Sequence, residues 1–188
     1  MPVSSSAVLV AQPLALRRAA AVILGAALVA VAAQVSIPLP GTPVPLTLQP
    51  LAVLLVGGLL GPVLGAASLI LYLALGAVGL PVFTPYGLPG LARLLGPTGG
   101  YLLAYPVAAF AVGRVAGDGK RWGRLALALL AGLTLIHLGG LAQLLILTGS
   151  VTSAVRLGTL PFLLGDLLKL GIAILVLRPT VSPLRARL

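Results

Sequence analysis

The sequence contains no cysteine, one histidine (His137), no glutamate and only two aspartates, Asp118 and Asp166. Without cysteine there is no disulfide and no thiolate ligand. One histidine and two carboxylates cannot supply a metal site built from several such ligands. No Walker-type phosphate loop is present, so any ATP-driven step belongs to other chains. Charged residues make up only 7% of the 188 residues, against about 25% in a soluble domain. With 60% hydrophobic residues and a mean hydropathy of +1.20, a water-soluble fold is excluded.

What is present is apolar sequence cut into lengths that suit a bilayer. A spanning helix needs about 20 apolar residues, so one domain over 1–188 holds six spans with short connections. The expected class is an all-α membrane protein, with spans near 19–36, 46–60, 63–80, 100–116, 125–147 and 159–177. Residues 1–16 read as a cytosolic tail, because no basic segment precedes the first apolar run and no cleavage site follows it. The first span carries small residues four apart, Ala15/Ala19 and Ala26/Ala30, a spacing that lets helix backbones approach closely. Residues 37–50 hold five prolines, which make the segment extended and stiff. It is expected to pack across the membrane surface. Gly61-Pro62 is a tight turn. Residues 81–100 form a long outer loop, too apolar to be disordered, that folds back as an ordered lid. Residues 148–159 read as a short polar connection.

The net charge of +10 would point to nucleic acid in a soluble protein. Its placement points to membrane orientation instead, and no nucleic-acid partner is expected. With six spans, Arg17, Arg18, Arg114, Lys120, Arg121, Arg124, Arg178, Arg185 and Arg187 fall on one side. Arg93 and Arg156 fall on the other. The positive-inside rule then puts both termini in the cytoplasm.

The most informative stretch is Gly165-Asp-Leu-Leu-Lys169. Asp166 and Lys169 are three apart and share one helix face. A charge deep in a membrane helix costs roughly 2.5–3.5 kcal/mol on insertion scales, so such residues default to a functional role. By residue type alone the pair either serves a ligand or locks two helices together. A pair about 7 Å below the outer end suits a small polar ligand with N–H donors and a carbonyl acceptor entering from outside. Arg93 either clamps a carboxylate on that ligand or snorkels at the interface. His137 reads as a satisfied mid-helix histidine. A Ser-His-Asp set would need it beside Asp166 and a serine such as Ser68 or Ser150, which no spacing favours.

Five motifs in order carry a family resemblance. They are Ile37-Pro-Leu-Pro with Pro43-Val-Pro-Leu-Thr-Leu-Gln49, Leu59-Leu-Gly-Pro62, Gly79-Leu-Pro-Val-Phe83, Leu95-Gly-Pro-Thr-Gly-Gly-Tyr101 and Leu160-Pro-Phe-Leu-Leu-Gly-Asp-Leu-Leu-Lys169. In order and spacing the chain resembles the BioY family over residues 15–180. These are the biotin-binding S subunits of energy-coupling-factor transporters. The resemblance implies a six-helix, multi-pass subunit of a prokaryotic cell membrane that captures biotin from outside. It implies no cofactor. It also implies a transmembrane coupling subunit and two ABC-type ATPase subunits as partners. Asp166 and Lys169 match biotin-contacting positions. Arg93 matches the family's loop arginine, although residues 84–90 depart from the Gly/Asn/Ser-rich pattern. Tyr86 is then a substitute that packs on the ring system. Thr98, Gly99 and the rest of 96–100 are a second candidate for the carboxylate, through backbone N–H groups at a helix start. The Ala15, Ala19, Ala26, Ala30 pattern resembles the face that docks the coupling subunit. Competing readings are an S subunit for another small vitamin, a membrane enzyme using Asp166 or His137, and a purely structural assembly subunit.

Overall fold

The computed structural model describes residues 13–188. The cytosolic-tail expectation for 1–16 therefore lies outside the described residues up to position 12. The described chain is helical apart from one two-residue β pair. This is the economical solution in lipid, because a helix satisfies its backbone polar groups internally.

Helix α1 (Leu14–Gln34) leads into strands β1 (Ser36–Ile37) and β2 (Leu46–Thr47), paired antiparallel with Ser36 opposite Thr47. The proline-rich segment is thus extended, as its φ restriction requires, and it doubles back so that β1 and β2 pair. Helix α2 (Gln49–Ala77) is broken at Gly61, whose φ of 81° is left-handed and suits glycine, and Pro62 restarts the helix. Gln49 and Tyr72 would lie about 35 Å apart on a straight helix. The Gln49 amide nitrogen instead donates to the Tyr72 hydroxyl at 2.6 Å. The two limbs, 49–60 and 62–77, are therefore antiparallel.

The segment after α2 contains the short helix α3 (Leu91–Leu95), followed by α4 (Gly99–Ala116) and α5 (Trp122–Thr148). Residues 151–158 are not the expected polar connection. They form helix α6 (Val151–Gly158), because Gly149 ends α5 in a left-handed conformation (φ 66°) and the Ser150 hydroxyl caps the next helix by accepting from the Ser153 amide at 3.3 Å. A 3-10 turn (Leu160–Phe162) opens helix α7 (Leu163–Arg185). The last helix also runs eight residues past the expected end at 177, through Pro179 and Pro183. Its final turn is held by Arg185, whose guanidinium donates to the carbonyls of Gly58 (2.6 Å) and Gly117 (2.7 Å).

Five helical stretches among the described residues are long and apolar enough to cross a membrane: 14–34, 49–77, 99–116, 122–148 and 151–185. Large apolar side chains remain exposed along them, such as Leu24 (69%), Ile146 (78%) and Leu164 (82%). Such a surface suits lipid. The interior divides in two. At one end sits an aromatic core with Tyr72, Phe83, Tyr101, Tyr105 and Phe162, and at the other an aliphatic one with Leu54, Leu125, Leu129 and Leu177.

Of the residues expected to form a docking face, Ala26 is buried within this chain, and Ala30 is half-buried with one side against the aromatic core. Ala15 and Ala19, nearer the start of α1, are exposed.

Candidate functional site

The aromatic core surrounds a cleft of about 570 Å3 of non-atom space, part of it open to solvent. Each wall comes from a different element. The β2 end and the start of α2 bring Thr47 and Gln49, and the segment after α2 brings Phe83, Thr84 and Arg93. Thr98 just before α4 and Tyr101 and Tyr105 on it line a further wall, α5 contributes His137, and the α7 region contributes Phe162, Asp166 and Lys169.

Asp166 is the centre of the polar wall and is 3% exposed. Lys169 Nζ donates to its Oδ1 at 3.0 Å, as the i,i+3 spacing on α7 dictates. His137 Nε2 meets the other oxygen, Oδ2, at 2.8 Å from across the cleft. Two donors thus hold the carboxylate at both ends. Lys169 is 6% exposed and keeps two further N–H groups.

Arg93 is 7% exposed, so it does not snorkel. One amino group, Nη2, donates to the Thr84 carbonyl at 2.8 Å, while Nε has no partner among the described residues. Burial lowers its pKa from the ordinary arginine value, but a guanidinium stays charged in a protein. A buried, under-used guanidinium is a costly feature that an incoming anion would relieve. Arg93 and Lys169 are positive and Asp166 is negative, so these three lining groups sum to +1. The cleft therefore matches a monoanion with a neutral polar head.

Comparison with known proteins identifies the lineage. The BioY family model matches residues 4–186. The chain belongs to the BioY family. It is 43% identical over 150 residues to the "Probable biotin transporter BioY" of Pyrococcus horikoshii, covering 80% of this chain and 87% of that one. It is 38% identical over 150 residues to the "Biotin transporter BioY" of Thermotoga maritima, with the same shares. A crystal structure of the S-component for biotin from an ECF-type ABC transporter superposes with a TM-score of 0.78 at 28% identity, covering 88% of this chain and 90% of that one.

In this family member, the fold brings Asp166, Lys169, Arg93 and Thr98 to one cleft. It does not bring Tyr86 there. Tyr86 is half exposed and lines a second, outer cavity with Pro38, Pro43 and Pro97, which shares only Pro45, Arg93 and Thr98 with the first. Gly99 does not line the cleft, and its N–H already donates to the Gly96 carbonyl at 3.0 Å. The serines weighed with His137 are engaged elsewhere. Ser68 is fully buried and donates to the Leu64 carbonyl, and Ser150 caps α6. Among the described residues no group of three His, Cys or carboxylate side chains could hold a metal.

Sequence reasoning left most of the lining unassigned to a ligand, including His137, Tyr101, Tyr105 and Gln49. His137 carried a signal, since a lone histidine in an apolar span defaults to function. Tyr101 and Tyr105 are four apart on α4 and share a face, which is also legible. The Tyr101 hydroxyl donates to the Gly158 carbonyl at 2.6 Å, tying α4 to α6 behind the cleft wall. Gln49 gave no local signal, because only the reversal at Gly61 puts it beside Tyr72.

Proposed function

We propose that this chain is the biotin-capturing S subunit of an ECF-type uptake system, a transport subunit rather than an enzyme. One observation carries the reading: a doubly held carboxylate with an adjacent lysine, and a buried arginine with an Nε unpartnered among the described residues, line a single aromatic-walled cleft. Biotin presents the complementary groups. Its ureido N–H groups match the free lone pairs of Asp166, and its ureido carbonyl matches a spare N–H of Lys169. Its valerate carboxylate matches Arg93, with Thr98 beside it. Phe83, Phe162 and Tyr101 supply apolar walls for the fused rings.

The proposed topology is six crossings, with the two limbs of α2 crossing separately and both termini in the cytoplasm of a prokaryotic cell. Two contacts support a common basic end. Arg18 Nε donates to the Leu188 carbonyl at 2.9 Å, and the Arg178 guanidinium lies 4.0 Å over the Trp122 ring. Arg93 and the cleft lie toward the opposite end, which is then the outside. A coupling subunit and two ATPase subunits are the proposed partners, and the exposed start of α1 at Ala15 and Ala19 remains available to the first of them.

The test is equilibrium binding of biotin to the purified full chain, beside Asp166→Asn and Lys169→Met, with thermal stability recorded for each. Tight binding by wild type and large losses in both folded variants support the reading. A well-folded wild type that ignores biotin sinks it.

A further inference from the structure

We propose that His137 is a positioning residue of this cleft, holding Asp166 in one orientation so that its free lone pairs face the ligand; this rests on the biotin reading above. The geometry runs through three elements. His137 Nε2 lies 2.8 Å from Asp166 Oδ2, while Lys169 Nζ takes Oδ1 at 3.0 Å. On its other side, His137 Nδ1 faces the Thr159 hydroxyl at 3.4 Å, at the junction of α6 and α7. The ring stands edge-on to Tyr101, with centroids 6.2 Å apart and an interplanar angle of 77°. Tyr101 is itself anchored on the Gly158 carbonyl.

An ionised carboxylate only accepts, so Nε2 carries a proton and donates to Asp166. The Thr159 hydroxyl meets Nδ1, so both ring nitrogens are used and His137 offers the ligand no further polar atom. Its contribution passes through Asp166. The last torsion of an aspartate is broad and roughly two-fold, so a single donor at Oδ1 leaves the carboxylate free to swing. A second donor on the opposite oxygen, from a different helix, stops that motion. A carboxylate held in advance spares the ligand the cost of ordering it. Lys169 cannot do this alone, because it shares α7 with Asp166 and approaches from one side.

The experiment measures biotin affinity of the full chain for wild type, His137→Leu and His137→Gln, each with and without Asp166→Asn, with melting temperature recorded. Loss of a hydrogen bond to a charged group predicts a fall of about tenfold or more in His137→Leu. His137→Gln, whose amide N–H can reach the same oxygen, recovers most of it. In the Asp166→Asn background the further loss from His137→Leu shrinks below about twofold, because the two residues act as one unit. Equal losses with and without Asp166→Asn, or equal losses in the Leu and Gln variants, overturn the positioning role. So does wild-type affinity in His137→Leu. If His137→Leu does not fold, Thr159→Val replaces it. That change removes only the support at Nδ1 and should weaken binding a few-fold, and unchanged affinity counts against the proposal. Failure of wild type to bind biotin removes the functional reading and this inference together, whereas wild-type binding with an indifferent His137→Leu removes only the inference.

Discussion

Two arginines at opposite ends of the molecule lie against backbone carbonyls, and they are used differently. Arg185 employs all three guanidinium nitrogens. Nε and Nη2 donate to Gly58, Nη1 to Gly117, and Nη2 also reaches Gly57 and Gly113. It ties the end of α7 to the turn region of α2 and the end of α4, where carbonyls at helix C-termini otherwise lack partners. Arg93 spends one nitrogen on Thr84 and leaves Nε without a partner among the described residues, although it is more deeply buried. One arginine completes the fold. The other is left incomplete, and buried incompleteness of that kind is what a binding site supplies.

The contrast is broken or sharpened by four substitutions. The largest effect is expected from Asp166→Asn at the cleft end. Truncating one partner of a buried, hydrogen-bonded charge pair costs about 2–5 kcal/mol, so biotin affinity should fall by about 30-fold or more in a titration. Next, Arg185→Met should lower unfolding stability by about 2–4 kcal/mol, since several carbonyls lose their donor, while the folded fraction binds biotin with wild-type affinity. A large affinity change there would mean that the two ends are not separable. Arg93→Met should do the reverse, with affinity down about tenfold and the melting temperature nearly unchanged. A strongly destabilised Arg93→Met would make Arg93 a second structural arginine. The smallest effect is reserved for Tyr86→Ala, which should shift affinity by less than about threefold, because Tyr86 lines the outer cavity and not the cleft. A tenfold loss would bring Tyr86 back into the ligand's contacts.

The two interiors follow the same division. The core at the cleft end is aromatic and surrounds polar groups, whereas the core at the other end is aliphatic. Aromatic rings leave irregular space between them and carry polar handles, as Gln49 on Tyr72 and Gly158 on Tyr101 illustrate.

Local chemistry was legible in the chain itself. Composition alone requires a bilayer. The i,i+3 spacing of Asp166 and Lys169 fixes their contact, because both lie on one helix. The reversal at Gly61-Pro62 also follows from its own residues, one free to adopt a positive φ and the next unable to continue an i,i−4 ladder. The stop and start at Gly149-Ser150 was equally written there.

What the tertiary structure alone decided lies between elements. His137 is 29 residues from Asp166 in sequence, and Arg93 is further still, so no spacing rule joins them. Which face of α1 turns inward was also undetermined, and it is the one carrying Gly25, Ala26, Val29 and Ala33. The physical reason is the solvent. In water, polar and apolar faces separate and mark the buried stripe, but in a bilayer both lipid and protein interior are apolar, so the pattern that would reveal a helix's inner face is erased.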